Sequence, residues 1–301
     1  MSQTASADLV KTRPKTAKAD FVGVSTPDIT EDLFEEVGAS TALLKLWEDA
    51  EPRLVIASMA RRFTGATRSL MLKNLAWLLK GARLQDNDAW FMAVSLLDRS
   101  GVQDEADLPA VCYAIVYLLA KSDRGVKHRF GPEWLDQLVM RTANGIVTST
   151  DVKAWEQRLL ENVQWRVLVP TAETWSTTFV MRLDILTGKA FSPMMSQMFD
   201  YTSACIRTLE VESPDHGIPP RQLAMGLTVF GLVCARALPR ECVLGGSGPT
   251  ISPCRFPETT SRRILELLLD AVCCEHPDLC RACRLVADLP QALPEGVFFF
   301  D

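Results

Sequence analysis

Histidine is scarce in this chain, with only His128, His216 and His276 among 301 residues. Few histidines are therefore present for catalysis or for binding a metal. Long apolar runs are also missing: the two longest runs without charge or strong polarity, Leu108–Ala120 and Leu223–Ala235, are much shorter than the ~20 residues that a membrane helix needs. Both stretches are typical of buried core helices, and we expect no association with a membrane.

Signatures of the common catalytic sites are absent from the sequence. It contains no phosphate-binding loop, no H-E-x-x-H motif of zinc proteases and no G-x-S-x-G motif of serine hydrolases. It also contains no pair of acids at a spacing that suits acid–base catalysis. The formal net charge of −5 argues against binding nucleic acid through a broad basic surface. We therefore expect no catalytic residue, no cofactor and no nucleic-acid partner.

The amino terminus lacks the apolar core of a secretory signal, and Asp8 and Asp20 make it a poor transit sequence. Nine cysteines in such a chain indicate reduced thiols and a location in the nucleus, the cytoplasm or both. Cys280 and Cys283, in "CCEHPDLCRAC", have a C-x-x-C spacing that zinc sites use. No second C-x-x-C completes a set of four ligands, and Cys273 ends an apolar helical run, so we expect no metal site.

Helical periodicity dominates the rest of the chain. Residues 1–37 have few large apolar side chains and no sustained period, which predicts a disordered tail. In "RSLMLKNLAWLLKG" one helical face contains Met71, Leu72, Leu75, Leu78 and Leu79, and Gly81 stands where a left-handed residue would end the helix. Asp151 can cap a later helix over Val152–Leu168. Because no alternating strand pattern competes, we predict an all-α protein.

The chain also contains an internal repeat. "LPAVCYAIVYLLAK" (108–121) aligns on "LAMGLTVFGLVCAR" (223–236) at a constant offset of 115 residues, without a gap. Amphipathic helices are predicted before and after both segments: Ala89–Arg99, Met194–Leu209, Val152–Leu168 and Ser261–Cys274. The repeat predicts two similar bundles, each with one apolar helix surrounded by amphipathic ones.

Three segments resemble, in order and approximate spacing, the signature segments of the cyclin box. They are "RLQDNDAWFMAVSLLDR", "LPAVCYAIVYLLAKSD" and "EQRLLENVQWRVLVPT", all within residues 83–171. Cyclins have two tandem five-helix bundles, the second degenerate in sequence. The resemblance therefore implies an N-terminal cyclin box at 38–170 and a cyclin-like helical domain at 171–288, followed by a tail at 289–301.

The resemblance also implies a function. Cyclins are regulatory subunits, without catalytic activity, that bind and activate a cyclin-dependent protein kinase, many of them in the cell cycle and cell division. A lysine at the end of the central helix and a glutamate at the start of the fifth grip the regulatory helix of the kinase. Lys121 and Glu156 stand at these positions. By residue type alone, Lys121 could merely complement a helix C-terminus, and Glu156 could pair with Lys153 on its own helix.

Helical spacing adds a physical argument for a binding surface. If the predicted helix extends to Leu168, one stripe of it contains Glu156, Leu160, Val163 and Val167. The acid then heads an apolar face, and Lys121 likewise follows an apolar helix. Opposite charges at the rim of an apolar surface suit contact with a partner helix, because the dry centre supplies affinity and the rim sets register.

Asp98, in the "LDR" segment, corresponds to a cyclin acid that forms a buried ion pair with an arginine of the first helix. Arg68 is the expected partner, since the expected arginine position falls one residue later, near Ser69. A buried carboxylate without a cation would cost several kcal/mol, so the pair would join two helices. The alternative is an acid at a helix end that faces water.

The cyclin docking patch for substrate motifs is only partly matched. Met71 and Leu72 keep its apolar pair, but Leu75 replaces its tryptophan. These three residues are the candidate patch, and kinase substrates or inhibitors are the further partners that it would bind. The alternative function is a cyclin-fold transcription factor or scaffold protein that binds polymerase and DNA. The acidic net charge, and the lack of any cysteine before Cys112 for a zinc ribbon, count against it.

Overall fold

The protein is described by a computed structural model that covers residues 63, 65–84, 87–122, 132–186, 189, 192, 195–212, 216–234, 238, 258–272 and 276–287. The predicted tails at 1–37 and 289–301 lie outside these residues, as does Cys273. Within the described ranges the chain forms ten α-helices and no strand, which confirms the all-α prediction. None of the described helices is both long enough and apolar enough to span a membrane.

The first five helices form a bundle around α3. They are α1 Gly65–Gly81, α2 Asn87–Arg99, α3 Leu108–Ser122, α4 Pro132–Thr142 and α5 Ser149–Asn162. Helix α3 is apolar on every side and is buried along almost its whole length, from Leu108 to Ala120. Helices α1, α2 and α5 pack directly against it. An all-apolar helix is stable only inside such a shell, which explains its central position.

The last five helices repeat this arrangement around α8. They are α6 Ala172–Leu186, α7 Met195–Glu212, α8 Pro220–Cys234, α9 Glu258–Val272 and α10 His276–Ala287. Helices α6, α7, α9 and α10 all contact α8. Gly226 allows the close approach of α10, because a Cβ at this position would lie 2.5 Å from the Cβ of Ala282. The two aligned apolar segments thus form the two central helices, as the repeat predicted.

The two groups of helices also pack against each other. Helix α1 contacts α7, and α2 contacts α6. One hydrophobic cluster continues from the first group into the second, where it includes Ile206, Leu209, Ile218 and Leu223. The boundary proposed between residues 170 and 171 stays a prediction, because packing that continues across it does not define where either unit ends.

Helix α5 is shorter than predicted, since it ends at Asn162 and not at Leu168. The backbone N–H of Trp165 donates to Leu160 O at 2.8 Å, and that of Gln164 donates to Glu161 O at 3.0 Å. This is the Schellman pattern, in which the C′ residue has a left-handed conformation. Gln164, with φ of 53°, is that residue. The predicted helical stripe therefore ends early: Val163 is buried beyond the helix, and Val167 lies outside it.

Candidate functional site

Lys121 and Glu156 meet at the surface of the first bundle. Lys121 lies in the last turn of α3, directly after the buried Ala120, whereas Glu156 lies in the middle of α5 and not at its start as expected. The lysine Nζ is 2.6 Å from Glu156 Oε1, with the lysine side chain 41% exposed and the glutamate side chain 14% exposed. The two predicted residues therefore form one ion pair, and the lysine cation remains accessible to a partner.

Two aromatic rings lie behind this ion pair. The Lys121 ammonium is 4.0 Å from the centre of the Tyr117 ring, one helical turn earlier on α3. Tyr117 in turn stacks on Trp134 of α4, with ring centres 6.3 Å apart. A cation over an aromatic face is attracted by the negative π cloud, so the rings help to fix the position of the lysine. We call Tyr117, Lys121, Trp134 and Glu156 the Lys121–Glu156 site.

The site keeps Lys121 charged. Partial burial lowers the pKa of Lys121, but the hydrogen bond and the negative charge of Glu156 outweigh that effect. The resulting pKa lies above the ordinary value for lysine. Lys121 thus presents a positive charge at neutral pH, held beside the Glu156 side chain.

Helix α5 positions Glu156 through its cap and its buried face. Thr148 is the N-cap, and its side chain and that of Asp151 satisfy each other's backbone N–H groups in a capping box. Asp151 was predicted to be the cap, but it is the third residue of the helix. Trp155 and Leu159 are buried, which leaves Glu156 at the edge of the packed face. In this position Glu156 reaches Lys121 on α3, whereas the alternative interpretation paired it with Lys153.

Asp98 and Arg68 also lie together, buried between α2 and α1. Arg68 Nη1 donates to Asp98 Oδ1 at 2.6 Å, and Nη2 donates to Oδ2 at 3.2 Å. Their side chains are only 3% and 6% exposed. The two parallel hydrogen bonds use the planar geometry of both groups, and they join the two helices as a structural ion pair.

A third member of this cluster, Glu210 on α7, was not predicted. Its Oε2 accepts a hydrogen bond from Arg68 Nη2 at 3.0 Å, and its backbone oxygen accepts one from Arg68 Nε at 2.6 Å. Burial lowers the pKa of Arg68, but Asp98 and Glu210 together raise it above its usual range. Arg68 thus connects three helices and both halves of the chain. Nothing local in the sequence pointed to Glu210, which lies 142 positions away.

The candidate docking patch does not form an exposed surface. Met71, Leu72 and Leu75 are all buried, and Leu75 has no exposed area. The exposed apolar side chains of α1 are instead Leu70 and Trp77, at 60% and 56% exposure. The physical reason is helix rotation: once Arg68 faces inward, residues three, four and seven positions later share its buried face.

The cysteine cluster is only partly described. Cys283 is buried, whereas Cys280 is partly exposed, with its Sγ 3.5 Å from His276 Nδ1. Among the described residues, no three potential ligands converge on one point where a metal could bind. Cys273 and Cys274 lie outside the described ranges.

Comparison with known proteins shows similarity to solved structures but not to known sequences. No family model matches the sequence, and no curated protein matches it. Among solved structures, the chain is similar to a viral cyclin from herpesvirus saimiri, with a TM-score of 0.51. The similarity covers 83% of this chain and 97% of the viral chain, at 16% sequence identity. With its two five-helix groups around α3 and α8, this chain is a divergent example of the cyclin fold.

Proposed function

We propose that this chain is a cyclin-like regulatory subunit, without catalytic activity, that binds and activates a cyclin-dependent serine/threonine protein kinase. The observation that carries the proposal is the Lys121–Glu156 ion pair, 2.6 Å long and open to solvent on the lysine side. The cyclin-type resemblance assigns kinase contact to these two positions. Their convergence from different helices, 35 residues apart in sequence, is what such a contact requires.

The geometry suits a helical partner. An ammonium has three N–H donors, and a carboxylate has several acceptor positions. After the bond between Lys121 and Glu156 has formed, each group can therefore still form hydrogen bonds with a partner. Lys121 can donate to carbonyl oxygens of a partner backbone, while Glu156 can accept from its N–H groups. Charges held in place by aromatic rings and by each other lose little freedom on binding, which favours affinity.

Activation would occur through population shift. A kinase that samples active and inactive arrangements is driven to the active one if only that arrangement fits the regulator. ATP, Mg²⁺ and the catalytic aspartate would then belong to the kinase. We place this function in the nucleus, the cytoplasm or both, where thiols such as those of Cys112 and Cys205 stay reduced.

The test is recovery of a kinase from cells. Tagged wild-type chain and the Lys121→Glu variant would each be purified by affinity, and bound proteins would be quantified by mass spectrometry. We expect a cyclin-dependent kinase with the wild type and its loss with Lys121→Glu. The matched control is Lys80→Glu, the same charge change at an exposed lysine of α1.

Two results would contradict the proposal. One is full kinase recovery with Lys121→Glu, since the site would then not be the contact. The other is the absence of any kinase with the wild type, together with retention of the chain on DNA at low salt, which would favour the transcription-factor alternative.

A further inference from the structure

Arg99 is a buried cation that contacts the segment after α5. It is the last residue of α2 and is only 7% exposed. Its Nη1 donates to Arg166 O at 2.9 Å and its Nη2 donates to Val167 O at 3.4 Å, while Nε donates to Ser95 O at 3.1 Å. Burial lowers the pKa of Arg99 to about 10, so the group stays cationic at neutral pH.

A second connection joins the same two segments. The Asn162 side chain donates from Nδ2 to Ser100 O at 2.6 Å. Gly101, with φ of 69°, permits this approach, because a Cβ there would lie 2.9 Å from Asn162 Nδ2. The end of α2 therefore binds the end of α5 and the residues that follow it at three points.

The segment held in this way is strained. Gln164 and Trp165 are consecutive non-glycine residues with left-handed φ values of 53° and 62°. L-residues in this region cost free energy, and they persist only where surrounding contacts hold them. Arg99 supplies such contacts, since the two carbonyl groups that it binds follow Trp165 directly.

The strained turn and the residue after it expose large apolar side chains. Trp165 is 71% exposed and Leu168 is 60% exposed. The turn is continuous with the helix face of the Lys121–Glu156 site: Leu160 lies one turn after Glu156, and its carbonyl accepts the Trp165 N–H. An exposed tryptophan in the turn that directly follows the helix of Glu156 has the character of a binding anchor.

We propose that Arg99 is a positioning residue for partner binding: it holds the turn at 163–167, so that Trp165 is presented to the partner that engages the Lys121–Glu156 site. This inference rests on the proposed function for the identity of the partner, a protein kinase. Arg99 does not contact that partner itself, because it is buried behind the turn.

The forked shape of arginine is essential to this role. A guanidinium donates in two directions from one plane and can bridge two successive carbonyl groups, whereas a lysine ammonium is a point donor. We therefore expect Arg99→Lys to restore only part of the function that Arg99→Met loses. Asn162→Ala removes the other connection and provides a second variant that tests the same turn.

The first experiment measures the free protein. Hydrogen exchange would be followed at the amides of 164–166, which are hydrogen-bonded in the wild type. We expect about tenfold or faster exchange there in Arg99→Met, a smaller change in Arg99→Lys, and no change in α3. Unchanged exchange at the turn would overturn the inference, and so would a uniform increase over the whole chain.

The second experiment measures affinity for the kinase recovered with the wild type. We expect Trp165→Ala and Arg99→Met each to weaken binding by about tenfold or more. Because Arg99 acts through Trp165, the double variant should bind no more weakly than Trp165→Ala alone. Additive losses would contradict the inference, since they would show two independent effects.

These two experiments separate this inference from the proposed function. If the wild type binds no kinase, the proposed function fails, and the exchange measurement alone decides whether Arg99 holds the turn. If the wild type binds a kinase that Lys121→Glu releases, while Arg99→Met and Trp165→Ala bind normally, the inference fails and the proposed function stands.

Discussion

Arg68 and Glu210, 142 residues apart in the chain, form an ion pair of 3.0 Å between helix α1 of the first bundle and helix α7 of the second. Arg68 also binds Asp98, so one guanidinium connects both halves. A charge in this position is tolerated only because two carboxylates surround it. The cluster therefore makes the stability of each half depend on the other.

Loss of Arg68 should destabilise the whole protein. Arg68→Ala would remove the buried guanidinium that both Asp98 and Glu210 bind, for an expected loss of about 3–5 kcal/mol in the free energy of unfolding. Chemical denaturation, followed by circular dichroism, measures this change. Glu210→Gln should cost less, because that side chain is more exposed and Asp98 still pairs with Arg68. Equal stability of Arg68→Ala and wild type would contradict the structural role.

Because of Glu173, the free energy of unfolding should fall as pH rises. Its side chain is buried at the start of α6, and Oε1 accepts from Ser203 Oγ at 2.5 Å. Among the described residues Oε2 has no hydrogen-bond partner. Burial raises the pKa of Glu173, Asp88 adds to this effect, and Ser203 and Arg207 oppose it.

The sign of the pH effect follows from that raised pKa. The folded state holds the proton more tightly, so this contribution to stability is present below pH 4.5, the ordinary glutamate value, and is lost as pH rises through the folded pKa. Glu173→Gln should therefore be more stable than wild type at pH 7 but not at pH 4. Glu133→Gln, the second residue of α4 and exposed, is the control. A gain of the same size at both pH values would contradict this account.

Relief of the left-handed turn should stabilise the protein. Gln164→Gly places glycine at the C′ position of α5, where φ is 53°, and should add up to about 1 kcal/mol to the free energy of unfolding. Gln157→Gly is the same substitution inside α5, where it should cost about 1 kcal/mol. Denaturation midpoints that shift in the same direction for both variants would argue against strain at Gln164.

The central helices could be predicted from the sequence for a physical reason, whereas the two surface charges depended on the resemblance to cyclins. The uncharged runs that became α3 and α8 must be buried on all sides, which places them inside their bundles. The resemblance to cyclins singled out Lys121 and Glu156, and helical spacing added that each lies where an apolar helix face meets solvent. The resemblance to cyclins supplied their pairing, since spacing alone left Lys153 as an alternative partner.

Other features depend on contacts that no local pattern contains. The left-handed residue after α5 is Gln164, and the one after α1 is Arg83 and not Gly81, so the usual glycine signal was missing or misplaced. The rotation of α1 buries Met71, because Arg68 must reach Asp98 and Glu210. Arg99 could be recognised only after its carbonyl partners were located.

The most direct test of the central claim is a charge exchange at the Lys121–Glu156 site. The double variant Lys121→Glu/Glu156→Lys keeps an internal ion pair but reverses the charges that a partner meets. We expect its free energy of unfolding to lie within about 1 kcal/mol of wild type, because partly exposed pairs contribute little. Its affinity for the kinase recovered with the wild type should be weaker by about tenfold or more, as in each single variant. Recovery of wild-type affinity in the double variant would show that the pair serves only the fold, and would contradict the account.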